Sequence, residues 1–380
     1  MRRGLSGRRY RGVPLSAEKI LEFAEVSGTH GRRGELQLIK GNVALAEGAL
    51  QAGCRFYFGY PITPQNDIPE YLSDKLPELG GTFIQAESEI ASINMVMGAA
   101  ASGARAMTSS SGPGISLMQE GLSYISGAEL PCVVVNIMRC GPGLGGISPT
   151  QGDYFQAVKG GGHGDYRNIV LAPASVQEMF DLTILAFELA DKYRNPAVTL
   201  ADAILGQMKE PAILRPAKPV VIPEKDWILT GACGRPQRVI KTLYLGDGEQ
   251  EAHNLELKKK YDLMRLNEQR AESYLVDDAD LLIVAFGTAS RIARSAIRMA
   301  RGEGRKVGLI RPITLFPFPD RAVREATGRI HDVLVVEMNT GQMVEDVRLS
   351  GAPEAQYRFY GRPGGGVPAP EEILEQIEAM

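Results

Sequence analysis

Short apolar runs alternate with segments of helical hydrophobic spacing along most of this chain, from Gly41 onward. The apolar runs predict strands at 56–59, 83–85, 106–109, 133–138, 169–172 and 197–201. The periodic segments predict helices at 44–51, 88–101, 115–126 and 176–193. Strands that alternate with helices of this length are typical of βαβ units. Residues 37–208 are therefore predicted to form one doubly wound, mostly parallel domain of the α/β class.

The character of the sequence changes between residues 209 and 277. This segment begins rich in proline and becomes polar with helical spacing, which predicts a linker followed by a connector helix. Apolar runs at 281–286, 307–310 and 333–336, with a helix at 289–300, then predict a second, smaller α/β domain over 278–380.

The chain also carries a predicted N-terminal extension over residues 1–36. It has five arginines among its first eleven residues and a short helical stretch around Ile20 to Ala24. Such a segment is expected to be a solvated tail or a partner-docking arm.

Charge and cysteine content exclude several classes of function. Lys and Arg number 42 against 45 Asp and Glu, a formal net charge of -3, which argues against nucleic acid or an acidic membrane as the main partner. No apolar run approaches the roughly 18 residues of a membrane helix, so we expect no membrane span, no secretion and a cytoplasmic protein. The four cysteines are widely spaced without a CxxC pair, which predicts no zinc site and no iron–sulfur cluster on this chain.

Two candidate binding residues follow predicted strands. The run FYFGYPITP, residues 56–64, leads from a strand into a proline-bracketed turn that contains Thr63. Arg139 ends the apolar strand VVVNIM and opens the loop CGPGLGG. Carboxyl ends of parallel strands meet at one sheet edge, where a guanidinium and a hydroxyl suit the carboxylate of a small acid. The alternative is an ordinary strand-end arginine turned to solvent.

Glu89 begins the predicted helix that follows the strand TFIQ. One interpretation is a carboxylate stabilised by the helix N-terminal dipole, with Ser88 as the cap. The other is a functional carboxylate, because small residues behind it let a backbone or a flat ring approach that helix face closely. Both interpretations stay open on spacing alone.

Three glycine-containing motifs resemble sites of other chemistry, but their surroundings argue against each. Gly141, Gly143 and Gly146 satisfy GxGxxG, but Pro149 and Gly152 follow instead of a helix that would hold a pyrophosphate. The segment SSSGPG, 109–114, lacks the GxSxG pattern of a hydrolase and is expected to be a binding turn. The GDG at 246–248 is too close to Asn254 for a diphosphate-magnesium site, so no metal is assigned to this chain.

His163, in KGGGHGDYR, has two possible interpretations. It is an ordinary loop histidine or a residue that faces the substrate.

Several long motifs occur in an order that resembles the alpha subunit of the 2-oxoacid:ferredoxin oxidoreductases. They are YPITP, the segment EIASINMVMGAA from Glu89, SSSGPG, VVVNIMRCGPG, RPITLFPFP and VVEMNTGQM. The resemblance runs from about Gln37 to the C-terminus. Within the family, QGDYFQAVKGGGHGDYRNIVLAPASVQE is most similar to the branched-chain, 2-oxoisovalerate enzymes.

This resemblance implies a fold and a set of site residues. The first domain would be the pyrimidine-binding domain of a thiamine diphosphate enzyme, and the second a transketolase C-terminal-like domain. Glu89 resembles the glutamate that hydrogen-bonds the aminopyrimidine and relays the proton that activates the cofactor. Tyr60 and Pro61 match the cofactor-contacting turn. Thr63 and Arg139 match positions that hold the 2-oxo acid, and His163 joins them as a candidate.

The resemblance also implies partners and an activity. A beta subunit would carry the diphosphate-binding domain and Mg²⁺, and partner subunits, a gamma and a ferredoxin-like delta chain among them, would carry the iron–sulfur clusters. The complex would decarboxylate a 2-oxo acid to acyl-coenzyme A and reduce ferredoxin. Alternatives are a 2-oxoglutarate or pyruvate-type enzyme of the same chemistry, or a structural subunit that kept the fold without the site.

Overall fold

Two largely parallel β-sheets organise the chain in a computed structural model that describes residues 34–380. The predicted helical stretch around Ile20 to Ala24, and all but the last residues of the predicted extension 1–36, lie outside the described residues. No helix within the described range is long and apolar enough to cross a membrane.

The first sheet has seven strands in the order β12-β6-β7-β5-β4-β2-β3. Its strands are β2 (Phe56–Gly59), β3 (Thr82–Gln85), β4 (Ala106–Ser110), β5 (Cys132–Met138), β6 (Ile169–Leu171), β7 (Pro196–Asp202) and β12 (Thr314–Phe316). All neighbours pair in parallel except β12, which runs antiparallel to β6. The central strand β5 is buried along its whole length, as its uninterrupted apolar run predicts.

Eight helices lie between or beside these strands. They are α1 (Gly41–Gln51), α2 (Asp67–Glu78), α3 (Glu89–Ala101), α4 (Pro113–Leu117), α5 (Gln119–Gly127), α6 (Tyr154–Lys159), α7 (Val176–Tyr193) and α8 (Ala203–Gln207). A Cβ at Gly48 of α1 would lie 2.5 Å from the carbonyl oxygen of Phe180 in α7. Glycine at that position therefore lets the two helix backbones approach closely.

The sequence prediction missed α2, although its buried residues Ile68, Leu72 and Leu76 recur every fourth position. Pro69 and Pro77 lie inside α2 and obscured the helical pattern. The predicted helix at 115–126 is present as two helices, α4 and α5, which meet at Met118.

The second sheet has five strands in the order β14-β13-β10-β11-β9. Its strands are β9 (Ala271–Tyr274), β10 (Leu281–Val284), β11 (Val307–Pro312), β13 (Asp332–Glu337) and β14 (Gln356–Gly361). All pair in parallel except β9 with β11. The associated helices are α10 (Gly287–Gly302), α11 (Asp320–Thr327), α12 (Met343–Ser350) and α13 (Pro370–Glu378). The predicted α/β class is confirmed.

Two further features join these sheets. The predicted connector helix is α9 (Glu249–Asn267), and β1 (Gln37–Lys40) pairs antiparallel with β8 (Lys209–Ala212). Strand β12 lies in the C-terminal part of the sequence but belongs to the first sheet. The sequence pattern does not predict β12, because the prolines of RPITLFPFP interrupt its short apolar run.

A buried arginine crosses between the two sheets. Arg311 of β11 donates from both terminal nitrogens to the Glu178 carboxylate of α7, at 2.7 and 2.9 Å, and from Nε to Glu272 at 2.7 Å. Burial alone would lower the pKa of Arg311, but the two carboxylates outweigh it and raise that pKa. Arg311 is 4% exposed, so its charge depends on these partners.

We expect Arg311→Ala to lower the free energy of unfolding by about 3 kcal/mol, because it leaves the Glu178 carboxylate without its cation, while Glu272 keeps only Arg294. Chemical denaturation of the purified protein measures this. Lys258→Ala is the control, because the Lys258–Asp262 pair is exposed and should contribute less than about 1 kcal/mol. Equal losses for the two variants would contradict the role given to Arg311.

Candidate functional site

The strand order of the first sheet reverses between β2 and β4. From β2 the chain passes to β3 on one side, and then to β4 on the other side of β2. Ligand crevices in parallel sheets form at such a switch point, outside the carboxyl ends of the strands. The segments that leave β2, β3, β4 and β5 carry Thr63, Glu89, the turn 109–114 and Arg139. The topology therefore brings the predicted residues to one edge.

Glu89 is the first residue of α3, and its side chain is buried with 5% exposure. Ser88 caps the helix as predicted, since its Oγ accepts a hydrogen bond from the backbone N–H of Ala91 at 3.2 Å. Ser110 Oγ at the end of β4 donates to Glu89 Oε1 at 3.4 Å. Glu89 thus lies at the positive end of the helix dipole, within reach of this hydroxyl. Burial separates Glu89 from an ordinary first-turn glutamate, which lies in solvent.

The turn from Ser110 to Gly114 runs between Glu89 and Arg139. A Cβ at Gly114 would overlap both Ser110 Oγ and Glu89 Oε1. Gly112 has a φ of +47°, and a Cβ there would lie 3.4 Å from the Arg139 side chain. The backbone of this turn thus contacts both candidate residues; Gly114 has no space for a side chain, and the positive φ of Gly112 would strain any other residue there.

Arg139 and Thr63 are in direct contact. Arg139 is 9% exposed and donates from Nη1 to the Thr63 carbonyl at 3.1 Å and from Nη2 to the Leu144 carbonyl at 3.4 Å. Its Nε is buried and has no hydrogen-bond partner within residues 34–380, and the same holds for Ser111 Oγ. Buried donors without partners are uncommon in folded proteins and mark groups available to a ligand.

A chain of buried hydroxyl and amide groups lies beside Thr63, and sequence reasoning missed it. Ser109 Oγ lies 2.7 Å from the Tyr57 hydroxyl and donates to Gln65 Oε1 at 2.5 Å. Gln65 Nε2 in turn donates to the carbonyl of Tyr60 at 3.3 Å. Burial raises the pKa of Tyr57, so it stays a neutral donor. The network supports the YPITP turn. The only sequence signal was a glutamine directly after the second proline.

His163 lines a cavity to which neither Thr63 nor Arg139 contributes. That cavity, of about 370 Å³, is lined also by Tyr124, Tyr244 and His253. No hydrogen bond found in the described part of the chain joins His163 to Thr63 or Arg139. The geometry brings Glu89, Thr63 and Arg139 together and leaves His163 apart, so its substrate contact stays a prediction.

A cavity of about 270 Å³ opens at the carboxyl ends of β2 and β3, lined by Gly59, Pro61, Phe83 and Gln85. A larger cavity of about 580 Å³ lies elsewhere, around Arg311 and the arginines of α10. Within the range that the structure describes, all of its charged groups except Arg298 form ion pairs, among them Arg291–Glu210 and Arg294–Glu272. Convergence of buried polar groups, and not cavity volume, therefore locates the candidate site.

Large apolar side chains surround the site on the exposed surface. They are Tyr60, Ile84, Ile90, Leu117, Leu144 and Ile147. Leu144 is 81% exposed and Ile147 64% exposed, both in the loop that Arg139 opens. Soluble proteins seldom leave such a group of side chains in water, which marks the face as an interaction surface. We call these six residues the apolar rim.

The described residues hold no group of three or more His, Cys, Asp and Glu side chains placed for a metal ion. The GDG at 246–248 is the turn before α9, as predicted, and Gly248 there has a φ of +77°. The next helix after the GxGxxG of 141–146 begins only at Tyr154, so no helix N-terminus follows the motif directly. The sequence predicts this missing helix start, which is the reason against a dinucleotide site. Cys54 and Cys132 are buried, and burial raises the pKa of each thiol to about 12.

Two family models match the chain. Residues 47–229 match the model described as pyruvate flavodoxin/ferredoxin oxidoreductase, thiamine diphosphate-binding. Residues 279–373 match pyruvate:ferredoxin oxidoreductase core domain II. The first match contains Glu89, Thr63 and Arg139, and the second covers most of the strands of the second sheet.

Individual proteins agree with these matches. The chain is 53% identical to ketoisovalerate oxidoreductase subunit VorB of Methanothermobacter thermautotrophicus, over 90% of this chain and 97% of that protein. It is 38% identical to 2-oxoglutarate synthase subunit KorA of the same organism, over 91% and 99%.

Solved structures extend the likeness to the fold. The 2-oxoglutarate:ferredoxin oxidoreductase of Magnetococcus marinus aligns with a TM-score of 0.83 and 30% identity, covering 91% of this chain and 65% of that one. A split-gene transketolase aligns with a TM-score of 0.54 at 11% identity, which shows similarity of fold alone.

Gly114→Ala is expected to displace the Glu89 carboxylate or Ser110 and to lower the free energy of unfolding by about 1–3 kcal/mol, as overpacking does. Gly98→Ala in α3 is the matched control, because a Cβ there meets nothing within 4 Å and alanine favours a helix. Chemical denaturation of the two variants tests this. A Gly114→Ala protein as stable as wild type would show that the turn yields without cost.

Proposed function

Because the chain belongs to the 2-oxoacid:ferredoxin oxidoreductase family, we propose that it is the alpha subunit of a thiamine diphosphate-dependent enzyme acting on 2-oxoisovalerate. The complex would convert this branched-chain 2-oxo acid to acyl-coenzyme A and carbon dioxide, with electrons passed to ferredoxin. The single observation that carries the proposal is the convergence of buried Glu89, the Ser110–Gly114 turn and Arg139 at one sheet edge.

The residues at this edge fit thiamine diphosphate, which is the cofactor that the family implies. Glu89 offers a buried carboxylate for the aminopyrimidine, and Gly112 and Gly114 keep the adjoining turn free of side chains. Tyr60 and Pro61 adjoin the same edge. When bound, the cofactor supplies a carbon nucleophile for the 2-oxo carbon and a sink for the electrons released with carbon dioxide.

Glu89 would hold a proton at its carboxylate and pass it to and from the pyrimidine nitrogen. A general acid–base group of this kind needs a fixed position and shelter from water. Ser88 and Ser110 fix the helix end and the carboxylate, and burial excludes bulk solvent. Ser110 would also orient the oxygen that does not face the ring.

Arg139 and Thr63 would hold the substrate. The unpartnered Nε of Arg139 provides a charge-assisted donor for the acid group, and the exposed Thr63 hydroxyl lies beside it. The carbonyls of Thr63 and Leu144 keep the guanidinium plane in place. Arginine suits this task because its planar donors match a carboxylate.

The site would be completed at a subunit boundary in the cytoplasm. A beta subunit would bring the diphosphate-binding half with Mg²⁺, and gamma and delta subunits would bring iron–sulfur clusters that lead to ferredoxin. The apolar rim around the site supports a docked partner there. The related proteins are named as subunits, which agrees with this arrangement. We also propose the two-domain division, with a pyrimidine-binding domain at 37–208 and a transketolase C-terminal-like domain at 278–380.

A second candidate is a 2-oxoglutarate enzyme, which the Magnetococcus marinus structure and the KorA relative favour. The greater identity to ketoisovalerate oxidoreductase subunits, 53% against 38%, favours the branched-chain acid. A structural subunit without a site is disfavoured, because Glu89, Thr63 and Arg139 are kept together.

We expect the assembled complex to reduce ferredoxin with 2-oxoisovalerate at a higher kcat/KM than with 2-oxoglutarate or pyruvate. In the same assay, Arg139→Met should raise the KM of the preferred acid about tenfold or more, because a charged hydrogen bond is lost. Arg298→Met, on the exposed face of α10, is the control. A preference for 2-oxoglutarate would replace the substrate, and an unchanged KM would remove Arg139 from the site.

Glu89→Gln should abolish decarboxylation, with a loss of at least about 100-fold in kcat, because the amide cannot relay the proton. Glu87→Gln is the matched control, since Glu87 lies two residues earlier and is exposed. Gel filtration must show that both variants assemble. Normal turnover by an assembled Glu89→Gln complex would reject the proposed function.

A further inference from the structure

The second sheet has its own switch point, between β10 and β13. From β10 the chain passes to β11 on one side, and returns to β13 on the other side of β10. The carboxyl ends of these strands, where a parallel sheet opens a crevice for a ligand, lead to Phe286 and Met338. The side chain of Gln151, which comes from the loop after Arg139, fills this crevice.

Every polar group of Gln151 is bonded to the second sheet. Its Nε2 donates to the Phe286 carbonyl at 2.8 Å, and its Oε1 accepts from the Met338 N–H at 3.0 Å. Its backbone N–H donates to the Met338 carbonyl at 2.9 Å. Its carbonyl accepts from Asn339 Nδ2 at 2.8 Å. Gln151 is fully buried, so it acts as an internal ligand of the second switch point.

The segment that carries Gln151 is joined to Arg139. Arg139 forms an antiparallel β-bridge with Pro149, and the Cys140 N–H donates to the Ser148 carbonyl at 2.9 Å. Thr150 Oγ1 donates to the Met338 carbonyl at 3.0 Å. These contacts join the two ends of the loop that Arg139 opens. The C-terminal end of that loop is also hydrogen-bonded to the second sheet.

A second bond closes the same base within the first sheet. Asn136 Nδ2 of β5 donates to Asp153 Oδ2 at 2.9 Å. Burial raises the pKa of Asp153. Because these bonds connect residues 136–139 to residues 149–153, a shift of Gln151 would move both segments together. Arg139 would move with them.

We propose that Gln151 is a positioning residue for Arg139, through which the second sheet sets the geometry of substrate binding. This inference rests on the proposed function. A buried amide with every group paired has one favourable arrangement, because a displaced group would be left without a partner. An apolar side chain would fill the same space without specifying that arrangement. The second sheet therefore contributes to substrate recognition without touching the substrate.

The test is Gln151→Met in the assembled complex, since methionine has a similar size and makes neither amide bond. The KM of the 2-oxo acid should rise about tenfold, because sub-ångström misplacement of a binding group is costly, while kcat changes less than twofold. The KM of coenzyme A should not change. A lower melting temperature with an unchanged KM for the acid would overturn the inference.

Gln177→Met is the matched control. Gln177 is fully buried and clasps the backbone of Ile213, donating to its carbonyl at 3.1 Å and accepting from its N–H at 2.8 Å. Like Gln151, it donates to a backbone carbonyl and accepts from a backbone N–H, and its Nε2 also donates to Asp181 Oδ2 at 3.2 Å. We expect a similar loss of melting temperature and no change in the KM of the acid.

A double-mutant cycle separates action through Arg139 from an independent effect. In an Arg139→Met complex, adding Gln151→Met should change the KM of the acid by less than twofold, because the group that Gln151 positions is already gone. Independent, multiplicative effects would overturn the inference.

If the wild-type complex consumes no 2-oxo acid at all, it is the proposed function that fails. In that case a density map of the Gln151→Met complex tests the inference by itself. An Arg139 side chain still hydrogen-bonded to the Thr63 carbonyl in that map would overturn the inference.

If the Gln151→Met complex does not assemble, Gly287→Ala provides a second test of the inference. It adds a methyl group next to Gln151 from the side of the second sheet. Gly287 has a φ of +51°, and a Cβ there would lie 3.2 Å from Gln151 Nε2. The added methyl should push the amide and raise the KM of the acid about threefold, with kcat retained. An assembled Gly287→Ala complex with an unchanged KM would overturn the inference.

Discussion

The order of parallel strands is the constraint on which the rest of this structure depends. Each sheet has a switch point, between β2 and β4 in the first sheet and between β10 and β13 in the second. Strand ends separate at those points, and loops that carry polar groups enter the space between them. The first such space collects Glu89 and Arg139, while Gln151 fills the second. One topological rule thus accounts for both the open site and the closed one.

Satisfaction of buried polar groups distinguishes the two places. At the second switch point each polar atom of Gln151 has a hydrogen-bond partner, and the amide behaves as part of a core. At the first, Arg139 Nε and Ser111 Oγ remain without partners within residues 34–380, and Glu89 has only a long contact from Ser110. Most buried polar groups of a fold have hydrogen-bond partners, so these unpaired groups mark a place where a ligand can bind.

The two sheets are held together by polar contacts of different kinds. Arg311 bridges β11 to α7 by charge, and Gln151 joins the Arg139 loop to β10 and β13 by neutral hydrogen bonds. Strand β12 adds backbone pairing, since it leaves the C-terminal part of the sequence to extend the first sheet. Directional bonds of this kind specify one relative position of the sheets, whereas apolar contact alone tolerates sliding. The relative position of the sheets therefore also sets the position of the loop that holds Arg139.

The sequence by itself determined the fold class and the residues at the first edge. Uninterrupted apolar runs such as VVVNIM predict buried parallel strands, and residues directly after them must lie at the carboxyl edge, which is why Thr63 and Arg139 meet. Local spacing does not report contacts between distant segments, so the sequence missed the Tyr57–Ser109–Gln65 network. Prolines hid α2 and β12, because they interrupt the periodicities on which such predictions rest. Only the tertiary structure decided that Gln151 reaches across to Phe286 and Met338. A buried hydrogen bond depends on where two strands end in space, and residues 151 and 338 are brought together by packing that no local pattern encodes.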